Sequence, residues 1–139
     1  RPESRGYVRI QSADPLVPPK MIANYLATEH DRDISVAAVK FARKIAQTEP
    51  LKSLIIREIK PNNPQSDADL LEFCRNNGAT IFHPTGTCQM GTDSDPMAVL
   101  DSELRVRGVT GLRVVDCSAM PTMVFGVLWG DYYPHLHHQ

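Results

Sequence analysis

From Asp31 to about Thr48 the apolar residues recur with the period of a helix, a pattern that no β-strand can bury on one side. Ile34, Ala37, Ala38, Phe41 and Ile45 fall in one stripe, with Arg32, Lys40, Arg43, Lys44 and Gln47 mostly outside it. Pro50 marks the stop. A stripe of this kind is expected to be core packing and carries no chemistry. A second helix begins at Ser66-Asp67-Ala68-Asp69, where Ser66 can accept a backbone N–H bond and the acidic residues suit the positive helix end. Leu70, Leu71, Phe73 and Cys74 make its buried face, and Gly78 offers a left-handed stop, so the pattern predicts a helix from Asp67 to about Asn77.

Strand-like runs surround these helices. Gly6 to Ser12 alternates, with Val8 and Ile10 on one face, and reads as a half-buried strand. Asp14-Pro15 and Pro18-Pro19 make Ala13 to Lys20 an extended surface connection, after which Met21 to Leu26 is a second strand. Leu54 to Ile59 reads as a third, ended by Pro61-Asn62-Asn63-Pro64; Ala79 to Phe82 and Leu112 to Val115 are short buried ones. This mixture predicts an α+β fold, an antiparallel sheet with the two helices packed on one face. At 139 residues the chain suits a single domain able to bury about two-thirds of its unfolded surface. The formal net charge of −1 leaves no basic surplus to attract nucleic acid or an anionic membrane. No apolar run approaches the roughly 20 residues needed to span a bilayer. Cys74, Cys88 and Cys117 are an odd number without a CxxC pair, which favours reduced, buried thiols over a disulfide framework or a zinc site.

Chemistry concentrates in His83-Pro84-Thr85-Gly86-Thr87-Cys88-Gln89-Met90-Gly91. A residue before proline is biased toward extended backbone, so the strand Ala79–Phe82 should deliver His83 to its end. Gly86 then allows a turn where a side chain would block another backbone or a flat ligand. An imidazole there could meet a substrate; the alternative is a strand-end His bonded to a nearby carbonyl. Asp93 and Asp95 resemble pieces of a calcium loop, but no Gly or closing Glu stands at the required offsets, so a solvated turn is expected. Asp116-Cys117-Ser118 leaves the last strand, and a turn or helix cap is one role open to Asp116.

Downstream of HPTGTCQMG stand Met97-Ala98-Val99-Leu100-Asp101, Leu104-Arg105-Val106 and the run Gly108 to Thr122, GVTGLRVVDCSAMPT. In this order they closely resemble the C-terminal part of the glucose–methanol–choline (GMC) family of flavoprotein oxidoreductases, nearest its bacterial choline and alcohol dehydrogenase branch. The opening RPESRGYVRIQSADP resembles that family's substrate domain, so the likeness covers roughly residues 1–126. It implies three regions: substrate domain over 1–103, a segment returning to the flavin domain over 104–126, and a divergent tail over 127–139. It also implies FAD as hydride acceptor, a primary alcohol, choline-like or other, oxidised to an aldehyde, and His83 as the catalytic proton acceptor. A base of ordinary pKa near 6.5 is matched to that task at neutral pH. By the same likeness Asp116 and Cys117 lie where a strand end approaches the FAD and are the candidate cofactor-binding residues. Cys117 stands where the family usually has a small residue and reads as packing.

The chain departs from the family in two respects. No GxGxxG fingerprint is present to cradle a pyrophosphate, so tight FAD binding by this chain alone is not expected. The family's second catalytic residue, a His or Asn soon after the MPT segment, falls on Val127 or Trp129. Starting at Arg1 without Met or a signal-like apolar segment, the sequence is expected to be a fragment or a processed product. The resemblance implies the missing flavin domain as its partner and the cytoplasm or the periphery of the inner membrane as its location. Two other readings stay open. The chain could be a non-enzymatic module that binds a partner or self-associates, or the tail residues His135, His137 and His138, with Asp131, could hold a metal. Against the metal stands a frayed terminus whose histidines touch only water.

Overall fold

A computed structural model describes residues 1–62, 64 and 66–123. Residues Pro2–Ala79 form one compact unit, and a second begins at Thr80. The first holds the regular elements: strands β1 (Tyr7–Arg9) and β2 (Lys20–Ile22), and helices α1 (Glu29–Ala46), α2 (Leu51–Leu54) and α3 (Asp67–Asn77). The strands pair antiparallel, Tyr7 opposite Ile22 and Arg9 opposite Lys20. No helix among the described residues is long and apolar enough to cross a membrane.

Both long helices start where side chains satisfy their free N–H groups. Thr28 Oγ1 accepts from the Asp31 N–H at 3.2 Å, capping α1. Ser66 and Asp69 form a reciprocal box at α3: the Asp69 N–H donates to Ser66 Oγ at 3.2 Å and the Ser66 N–H to Asp69 Oδ2 at 2.9 Å. The Asp31 carboxylate accepts from the Glu3 and Ser4 N–H groups at 2.8 and 2.7 Å, and Ser4 Oγ accepts from the Ala27 N–H at 2.9 Å. The start of the chain is thereby tied to the start of α1. Helices α1 and α3 then pack together, burying Val36 and Leu70, with Lys40 Nζ 2.6 Å from Asp67 Oδ1.

Several expectations fail, each for a physical reason. The stripe of Ile34, Phe41 and Ile45 is 56%, 62% and 48% exposed, while Val36 is buried. At about 100° per residue Val36 lies roughly 140–180° from the residues of that stripe. Helix α3 therefore takes the opposite, weaker apolar face of α1. The helices pack on one another and not on the hairpin, which stays two-stranded among the described residues. Its side chains are exposed, Val8 at 50%, so the expected half-buried face is not formed. Strand β2 ends early because Asn24 and Leu26 take φ +54° and +57°. Leu54 to Ile59 splits into the end of α2, an extended Ile55 and a run that pairs with no strand among the described residues. Ala79–Phe82 is not a strand: Phe82 sits at φ +62° and donates its N–H to Thr80 Oγ1 at 3.0 Å. Leu112–Val115 contributes a single bridging residue, Arg113, and is exposed. Gly78 is extended, not left-handed; a Cβ there would lie 2.6 Å from the Cys74 carbonyl oxygen, so close approach is what requires glycine. The buried hydrophobic side chains of the described residues are Val36, Leu70, Leu100 and Ala119, far short of a core holding two-thirds of the surface. The three cysteines are free but only half-buried. Val127, Trp129, Asp131 and the three tail histidines lie outside the described residues.

Candidate active site

From Thr80 to Met123 the chain is held mainly by backbone seams, with one short 3₁₀ turn among the described residues. Leu100, fully buried, pairs in parallel with Met90 and antiparallel with Val106. The Val99 and Leu100 N–H groups both donate to the Gln89 carbonyl, at 2.9 and 3.2 Å, and the Gly91 N–H donates to the Leu100 carbonyl at 3.1 Å. The turn after Leu100 is built by Asp101, whose carboxylate accepts from the N–H groups of Glu103 and Arg105 and from Arg105 Nε at 2.8–3.0 Å. The Arg105 side chain foremost holds this carboxyl at about 2, against its ordinary 3.8. Arg107 reaches back to the end of the motif, donating to the Gly91 carbonyl at 2.8 Å and to Asp93 Oδ1 at 2.6 Å. Asp95 accepts from the Met97 N–H at 2.8 Å, so Asp93 and Asp95 serve a turn and an ion pair.

The other side of the motif meets the turn that follows Asp116. The Cys88 N–H donates to the Ser118 carbonyl at 3.0 Å, and the Met90 N–H to the Ala119 carbonyl at 2.9 Å. Gly86 has φ +86°, and a Cβ there would meet only the Met120 carbonyl oxygen, at 3.5 Å. Conformation, not crowding, is what demands glycine at that position. His83 enters this seam half-buried, and no described residue hydrogen-bonds its imidazole. The carbonyl bond that a structural His83 would use is not made among the described residues.

Asp116 is the cap of a short 3₁₀ turn, Cys117–Ala119; its Oδ1 accepts from the Ser118 N–H at 2.7 Å. Bonds from the side chain and backbone of Ser118 hold its carboxyl below the usual range. Cys117 lies half-buried in that turn as a free thiol. The fold therefore brings the His83 segment and the Asp116–Met120 segment together through their backbones. Asp101 and Arg107 build the far end of the motif without belonging to any catalytic or binding signature. Their only trace in the sequence is an Asp three positions before Leu104, in a run rich in turns.

A family model described as GMC oxidoreductase matches residues 2–128. The chain belongs to the GMC oxidoreductase family. It is 45% identical over 129 residues to the oxygen-dependent choline dehydrogenase of Vibrio vulnificus, covering 92% of this chain and 23% of that protein. The FAD, quinone glucose dehydrogenase of Drosophila pseudoobscura pseudoobscura is 43% identical over 132 residues, which cover 90% of this chain and 21% of that protein. The crystal structure of pyridoxine 4-oxidase from Mesorbium loti superposes with a TM-score of 0.79 at 38% identity, over 86% of this chain and 23% of that one. The chain thus spans less than a quarter of the length of these relatives.

GMC oxidoreductases are FAD-dependent, so the described residues can be tested against that group. Helices α1 and α3, the two long enough to present an end-dipole, open with Glu29 and Asp31 and with Asp67 and Asp69. A pyrophosphate at either end would meet carboxylates where it needs free N–H groups and positive potential. These residues do not fit the phosphate half of FAD.

Proposed function

We propose that this chain is the substrate-side part of a FAD-dependent GMC alcohol oxidoreductase, in which His83 accepts the hydroxyl proton of a primary alcohol on its way to an aldehyde. The observation that carries this reading is His83 itself: an imidazole unpartnered among the described residues, in an intact HPTGT segment, within a match over residues 2–128. A neutral imidazole offers one nitrogen lone pair to a hydroxyl and works best near neutral pH. When bound, the flavin would supply the hydride acceptor. Asp116 and Cys117 would belong to the edge that faces it, with Asp116 Oδ1 capping its own turn. The phosphate site would come from the rest of the enzyme.

Grafting tests the reading. Residues 2–126 replace the corresponding segment of the Vibrio vulnificus choline dehydrogenase, with that protein's own sequence before and after, and choline oxidation is measured. His83→Ala should lower kcat/KM by roughly 10²–10⁴, the usual worth of a general base, with bound flavin retained. Full turnover in the variant removes the assignment. Loss of flavin and fold together would make His83 structural.

A further inference from the structure

We infer that Asp116 is a positioning residue for His83, acting through the 3₁₀ turn it caps and not through its charge toward a ligand. This inference rests on the proposed role of His83. The His83 imidazole has no hydrogen bond to a described residue, so its direction is inherited from the backbone that carries it. That backbone is fastened a few residues on, at Cys88 and Met90, to two consecutive carbonyls of the turn, Ser118 and Ala119, and Gly86 passes beside a third, Met120.

The turn in turn depends on Asp116. Its Oδ1 takes the Ser118 N–H at 2.7 Å, its own carbonyl takes the Ala119 N–H at 3.1 Å, and the Met120 N–H bonds the Cys117 carbonyl at 3.1 Å. A three-residue turn has one or two backbone bonds to hold it, so a side-chain cap is a large fraction of what fixes it. Without the cap, the Ser118 and Ala119 carbonyls lose their common orientation and the Cys88 and Met90 bonds loosen. The chain from His83 to Met90 then samples more than one path. The cap needs only the short Oδ1 acceptor, whereas a charge directed at a ligand needs the negative carboxylate, so the two roles make opposite forecasts for conservative substitutions.

Asn keeps the short acceptor and loses the charge; Glu keeps the charge but sets it one methylene too far for the Ser118 N–H. The test uses the 139-residue chain, isotopically labelled, and follows amide exchange and the ring signals of His83 by NMR. Asp116→Glu should speed exchange at Cys88 and Met90 by about fivefold to tenfold, the usual worth of a cap, and should shift the His83 ring signals. Asp116→Asn should restore both. The amides of α3 and the ring signals of His30 are the controls and should not move. Asp116→Ala should resemble Asp116→Glu; should it unfold, the Asn and Glu pair still decides. Wild-type exchange in Asp116→Glu overturns the inference, as does an Asp116→Asn variant as loose as Asp116→Glu. Failure of His83→Ala to slow the grafted enzyme would instead overturn the proton-acceptor reading, while leaving the exchange result standing.

Discussion

Asp31 shows how one carboxylate can join distant parts of a small unit. It accepts two backbone N–H groups from Glu3 and Ser4, and those bonds, with the Ser4 side chain foremost, hold it at about 2 against an ordinary 3.8. A folded-state value below the unfolded one means that the stabilisation is complete above the unfolded value. It is lost as pH falls through about 2. Asp31→Asn, which can accept only through one oxygen, should lower the urea midpoint at pH 6. The gap from the parent should close as the pH approaches 2. A gap that stayed constant with pH would place the contribution elsewhere. The sequence placed the helix start at Asp31, two residues inside the Glu29 where it begins, close because helix signals are local. Its partners lie 28 and 27 residues away, and no local pattern encodes such a bond. The same division separates His83, whose place in HPTGT is readable, from the carbonyls of Ser118 and Ala119 that fasten its segment.

Among the elements, the bounds and the N-terminal cap of α3 were legible and the strands were not. Ser66, Asp69 and the run after them specify Asp67–Asn77 from within, through a reciprocal cap whose parts are three residues apart. Ser66→Ala should cost about 1 kcal/mol of helix stability. The expected sign is fraying of the first turn, seen as faster exchange at the Leu70 N–H, which bonds the Ser66 carbonyl at 3.1 Å. Unchanged exchange there would mean that packing on α1 alone holds the turn. Strands lack such internal signals, since a strand exists only where a partner supplies its hydrogen bonds. Leu54–Ile59, Ala79–Phe82 and Leu112–Val115 have strand-like residues and no full ladder, so they are loops here. Positive φ at Phe82 and Leu104, bulky residues that seldom adopt it, could not be foreseen either.

At the scale of the whole molecule, the face of α1 that reads as core is the one left open. Ile34, Phe41 and Ile45 are about half to two-thirds exposed. A continuous apolar stripe of this kind is uncommon on a monomer and marks a surface meant to be covered. The family match covers less than a quarter of the relatives' length, so the proposed cover is the remainder of the oxidoreductase. Phe41 separates the possibilities, because truncation at an exposed site changes stability by less than about 0.5 kcal/mol, whereas at a buried one it costs about 3–5 kcal/mol. In the 139-residue chain Phe41→Ala should leave the urea midpoint nearly unmoved. In the grafted choline dehydrogenase the same change should lower the thermal inactivation midpoint by several degrees. A large effect in the isolated chain would show that the stripe is already buried there. Sedimentation distinguishes the remaining case: a dimer of the isolated chain that Phe41→Ala dissociates would make the cover a second copy. The sequence would then have been right about the face of the helix, and the proposal wrong about what lies against it.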